Sequence, residues 1–61
     1  MQKRIWLSGA PYWIGVYNDE PGEWVIVGEV GGRLIAITGP SERDALERWR
    51  SQAAKAIGRR A

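Results

Sequence analysis

An α+β fold is predicted for this chain: a small antiparallel meander of three strands, with an extra N-terminal strand as an option, packed on one C-terminal helix in the order βββα. Three observations predict it. Gly31-Gly32 separates two runs rich in β-branched residues, Trp24 to Val30 and Arg33 to Thr38. A third run of aromatic, β-branched and glycine residues, Tyr12 to Tyr17, precedes them across the turn-forming segment Asn18 to Gly22. From Ser41 onward, apolar residues recur at helical spacing. The 61 residues make a single domain with strands at about 12–17, 24–30 and 33–38, a helix at about 42–57, and the optional strand at 3–7.

Lys3 to Leu7 alternates loosely, as a short strand would, and Ser8-Gly9-Ala10-Pro11 reads as a turn in which Pro11 fixes φ and withholds a donor. Tyr12 to Tyr17 fits a pleated, half-buried surface. Asn18 to Gly22 is loop chemistry throughout, with Pro21-Gly22 suited to the centre of a type II turn. The parity of that loop decides which way the first hairpin faces. A loop with an odd number of residues, such as all five of Asn18 to Gly22, puts Tyr12, Ile14 and Val16 on the face of Trp24 and Ile26. An even loop would put Trp13, Gly15 and Tyr17 there. The odd loop is preferred because Ile14 and Val16 match the aliphatic character of that face.

The second hairpin is the stronger signal, since tight hairpin turns need positive φ and glycine adopts it freely. A two-residue loop sets Val30 opposite Arg33, Gly28 opposite Ile35 and Ile26 opposite Ile37. One face then carries Trp24, Ile26, Val30, Ile35 and Ile37, the candidate core side. The other carries Val25, Val27, Glu29, Leu34, Ala36 and Thr38. In the helix, Ser41 is the expected N-cap after Gly39-Pro40, with Asp44 as a shortened capping box. Ala45, Leu46, Trp49, Ala53, Ala56 and Ile57 form one apolar stripe with Trp49 as its central plug. Glu42 and Asp44 in the first turn suit the macrodipole, as do Lys55, Arg59 and Arg60 at or past the far end; Gly58 is the expected C′ residue and Arg59 to Ala61 a fraying tail. Asp44 and Arg48 stand at pairing distance on the helix.

Composition narrows the chemistry. A chain this short buries a modest fraction of its surface and needs a staple, a partner or large core side chains. With no cysteine there is no disulfide framework and no thiolate metal site, and with no histidine the usual general base is missing. Four tryptophans and two tyrosines supply the apolar area instead, and a homodimer is an alternative source of stability. No catalytic residue, metal site or cofactor is expected. Asp19, Glu20 and Glu23 read as solvated turn acids, because their spacing matches no calcium loop. Gly28, Gly31 and Gly32 are followed by a strand, so they form no phosphate-binding loop. No apolar run approaches the length of a membrane span and no signal-peptide core is visible; cysteine-free composition fits a cytoplasmic location. Net charge is +2, with −1 over residues 1–40 and +3 over residues 41–61. That is a mild basic bias confined to the helix and tail, where a solvated face is preferred to phosphate contact.

The aromatic residues carry the functional question. Trp24 and Trp49 belong to the core, but one helix covers only one side of such a sheet, so Trp6, Trp13 and Tyr17 need a place. A structural role comes first: the N-terminal segment folds over them, or two copies pair there. A protein-partner surface comes second and nucleic-acid contact third.

The strand–strand–strand–helix order, with Gly22-Glu23-Trp24-Val25 at the second strand and Ser41-Glu42-Arg43-Asp44-Ala45-Leu46-Glu47-Arg48-Trp49 opening the helix, resembles a group of small DNA-binding modules. These are the arm-binding N-terminal domains of tyrosine recombinases and the plant ethylene-response-factor domain. The resemblance covers Tyr12 to Gly58 and implies a sheet that enters the major groove while the helix braces it from behind. Those sheets project several arginines. Here Arg33 alone falls in the meander, amid Glu23 and Glu29, so Lys3 and Arg4 would have to help. The pattern is also distantly similar to HicB-type antitoxins, although their proline-glycine signature after the second strand is missing. The expected function is therefore a non-enzymatic binding module, a phage-type or regulatory inhibitor or adaptor that docks a protein through its aromatic sheet face. The alternative is a nucleic-acid-binding module. The candidate surface is Trp13, Tyr17 and Trp6 with Lys3, Arg4 and Arg33.

Overall fold

The computed structural model describes residues 1–58; the expected fraying of Arg59 to Ala61, and the basic charge of Arg59 and Arg60 beyond the helix, lie outside them. Strands β1 (Gln2–Leu7), β2 (Ala10–Glu20), β3 (Glu23–Val30) and β4 (Arg33–Gly39) form one antiparallel sheet in the order β1-β2-β3-β4, followed by helix α1 (Glu42–Gly58). The α+β meander is as predicted, and the optional N-terminal segment is a full strand.

The second hairpin keeps the predicted register, with Val30 paired to Arg33, Gly28 to Ile35 and Ile26 to Ile37. Gly31 and Gly32 both take positive φ, 59° and 78°, which is the type I′ requirement. The turn between β1 and β2 is shorter than expected. It is Ser8-Gly9 alone, at φ 53° and 79°, and Ala10 and Pro11 already pair with Leu7 and Trp6.

The β2–β3 connection corrects the five-residue loop. Glu20 pairs with Glu23, so only Pro21-Gly22 turns, and β2 runs three residues past Tyr17. Between the pairs Tyr17–Val25 and Glu20–Glu23, Asn18 and Asp19 stand against Trp24 alone, a β-bulge. The Asn18 side-chain amide donates to the carbonyls of Glu20 and Glu23, both at 2.9 Å, and ties the bulge to the turn. A two-residue turn by itself would have reversed the faces. The extra residue of the bulge restores odd parity, so Ile14 and Val16 lie on the core side, opposite Gly28 and Ile26.

That side carries Ile5, Ile14, Val16, Ile26 and Val30, all buried, and α1 closes it with Ala45, Trp49 and Ala53. Trp24, Leu46 and Ile57 pack against this cluster half-buried. Ser41 caps the helix as predicted: its Oγ accepts from the Asp44 N–H at 3.1 Å and its carbonyl from the Ala45 N–H at 2.9 Å. The helix includes Gly58, one residue beyond the predicted end. None of the described helices is long and apolar enough to cross a membrane.

Candidate binding surface

Side chains alternate across a strand, so the residues between the core positions face away from α1. Arg4 pairs with Trp13 and Trp6 with Pro11 across β1–β2; Gly15 pairs with Val27 and Tyr17 with Val25 across β2–β3. This outer face is open. Trp6 is 59% exposed, Trp13 62%, Tyr17 50% and, at the far edge, Leu34 68%. The N-terminal segment does not fold over the aromatics. As strand β1 it joins the sheet beside β2 and adds Trp6 to their face.

Local contacts orient the exposed aromatics. The Arg4 guanidinium stands over the Trp13 ring, 5.8 Å from its centroid, a cation–π arrangement that holds both side chains on the surface. Gly15 leaves the space into which Tyr17 leans: a β-carbon there would come within 2.9 Å of the phenol ring and its hydroxyl. Val25 and Val27, half-buried, make an apolar floor beside Tyr17 and Gly15. Across β3–β4, Glu29 pairs with Leu34, and both are exposed.

The six residues read from the sequence divide between the two sides of the sheet. Trp6, Trp13, Tyr17 and Arg4 come together on the outer face. Lys3 pairs with buried Ile14 and therefore faces α1, where its Nζ contacts Glu42 Oε2 at 2.6 Å. Arg33 pairs with buried Val30 and also lies on the helix side, lining a groove with Gln52 and Lys55. For Lys3 the deciding signal was the length of the first turn, which the Ser8-Gly9 pair sets and Pro11 obscures. Leu34 belongs to the outer face by the same Gly31-Gly32 register that the sequence makes legible, and is its most exposed apolar member.

On the helix, Arg48 does not pair with Asp44. Its Nη1 donates to the Thr38 carbonyl at 3.1 Å, joining α1 to β4. Arg43, Arg50 and Lys55 are exposed. Among the described residues no three acidic side chains gather as a cation-holding group. Comparison with protein-family models, with curated proteins and with solved structures gives no match.

Proposed function

We propose that this domain is a non-enzymatic binding module that docks a protein partner through the sheet face opposite its helix, in the manner of a small regulatory inhibitor or adaptor of phage type. One observation carries the reading: Trp6, Trp13 and Tyr17 lie exposed together on a face that neither α1 nor the N-terminal strand covers. Rigid aromatics are effective anchors because they bury a large area while few torsions are ordered. Arg4 on Trp13 adds a residue type enriched at interface centres.

The nucleic-acid alternative has less support. A sheet that enters a groove neutralises several phosphates, and on the described outer face Arg4 is the one cation, with Glu29 beside the hairpin end. Lys3 and Arg33 are turned to the other side. The test is capture with immobilised wild-type protein, Trp13→Ala, Tyr17→Ala and Arg50→Ala. Each aromatic change should weaken the captured protein's affinity by about 2 kcal/mol or more, and Arg50→Ala should leave it intact. Binding of nucleic acid that weakens steeply with salt and survives both aromatic changes would replace this reading.

A further inference from the structure

The groove between β4 and the C-terminal half of α1 is separate from the aromatic face and has a different chemistry. It is a cavity of about 210 Å³ with an apolar floor of Ile35, Ile37 and Ala56 and a cationic rim of Arg33 and Lys55. Among the described residues no acidic side chain lines it, and their ion pair, Lys3–Glu42, lies elsewhere. The groove runs beside an open sheet edge, because β4 is the last strand of the order β1-β2-β3-β4.

That edge has a definite set of free backbone groups. In a two-residue hairpin the pair closing the turn, Val30–Arg33, is hydrogen-bonded, and bonded pairs then alternate along the ladder. Leu34, Ala36 and Thr38 accordingly point their N–H and C=O groups away from β3. The Thr38 carbonyl is already taken by Arg48. Among the described residues nothing else bonds the outward groups of Leu34 and Ala36. The edge here reads Leu34-Ile35-Ala36-Ile37-Thr38, five residues without a charge, whereas the opposite edge, β1, carries Lys3 and Arg4, the usual protection against strand addition.

We propose that β4 accepts an extended acidic peptide as a fifth strand, paired to the backbone of Leu34 and Ala36. One aliphatic side chain of the peptide enters the cavity over Ile35 and Ile37, and a carboxylate, from Asp, Glu or a chain terminus, reaches Arg33 and Lys55. Side chains of an added strand alternate, so those on its other side lie along Leu34 on the outer face. Charge selects this occupant over a second copy of the chain. Two β4 edges paired about a two-fold axis would bring both sets of Arg33, Arg48 and Lys55 to the same side of one sheet, with no acid in the groove to offset them.

The experiment is titration of the isotopically labelled full chain with short acetylated peptides that alternate valine and threonine and carry glutamate at varied positions, or a free C-terminal carboxylate. Glutamine and C-terminal amide counterparts serve as neutral controls. The largest amide shifts should fall on Leu34 and Ala36, and the neutral peptides should bind about tenfold more weakly. Arg33→Glu with Lys55→Glu should abolish binding. Both side chains are exposed, so the fold should persist, and N-methylation of the peptide on its edge-facing amides should abolish binding without touching the protein. Trp13→Ala should leave it unchanged, which separates this site from the aromatic face. No binding by any peptide up to about 1 mM, equal affinity for neutral and acidic peptides, or shifts centred on Trp13 and Tyr17 would each overturn the proposal. So would a dimer in solution that Ala36→Glu on the β4 edge dissociates.

Discussion

Trp49 lies against the backbone of Gly28. A β-carbon at Gly28 would stand 2.5 Å from Trp49 Cζ2 and 2.9 Å from Ile14 Cγ2. The same indole donates its Nε1 proton to the carbonyl of Ile35, the cross-strand partner of Gly28, at 3.1 Å. One ring therefore sits across one rung of the β3–β4 ladder, and the missing side chain is what admits it.

Trp49→Ala should cost about 3–5 kcal/mol, because a fully buried ring is removed from a core with little else to collapse into the space. In a domain of this size that is a large share of total stability. Thermal or denaturant unfolding measures it, and a melt close to wild type would mean that the helix is held by other contacts.

Gly28→Ala tests the same junction from the sheet side. A methyl group there has no room without displacing the indole, so the change should destabilise by about 1–3 kcal/mol despite adding apolar volume. A strand glycine replaced by alanine would ordinarily be neutral or favourable. The sign of the change in denaturant midpoint distinguishes the two.

Trp13→Ala and Tyr17→Ala should behave differently from Trp49→Ala. Both side chains are at least half exposed. The first change removes the ring beneath the Arg4 guanidinium, and the second removes the phenol that lies over Gly15. Each should cost about 1 kcal/mol or less. Midpoints as low as that of Trp49→Ala would show that the outer face is structural.

Ser41→Ala removes the acceptor for the Asp44 N–H and should cost about 1 kcal/mol. Ser41→Asp, which can also cap and suits the helix dipole, should restore most of it. Equal midpoints for alanine and wild type would show that the Ala45 N–H bond to the Ser41 carbonyl suffices.

Deleting Asp19 tests the bulge. Without the extra residue, a two-residue Pro21-Gly22 turn would pair β2 and β3 with the opposite parity and bring Trp13 and Tyr17 inward in place of Ile14 and Val16. The deletion should largely unfold the domain in far-ultraviolet circular dichroism, whereas Asp19→Ala should melt within about 0.5 kcal/mol of wild type.

The fold was legible where one local rule governed. Gly31-Gly32 set the register of β3 and β4, and Ser41 with the stripe from Ala45 to Ile57 set the helix. The faces of β2 were legible from the match of Ile14 and Val16 to Ile26, although the physical means, a bulge just before a two-residue turn, was not. Asn18, Asp19 and Glu20 have poor strand propensity, and they are extended because β3 and the Asn18 amide hold them there. In β1, Lys3 stands at an inward position and breaks the alternation, because its stem runs over the sheet to reach Glu42. The aromatic face followed once the sheet was placed. The groove at β4 did not, since it depends on how far α1 stands from the edge, which no residue pattern encodes.

The uneven burial of the tryptophans gives the domain an intrinsic optical read-out. Trp6 and Trp13 meet solvent, Trp24 is half-covered, and Trp49 is sealed with its pyrrole nitrogen bonded. Native emission should therefore contain a red, iodide-quenchable part from the outer face and a blue, protected part from the core. A ligand on the aromatic face would shift the first and leave the second in place, while unfolding would merge them. A peptide at β4 would move neither much. Unlabelled protein in one cuvette can thus report whether the aromatic face is covered, and whether the domain is still folded when it is.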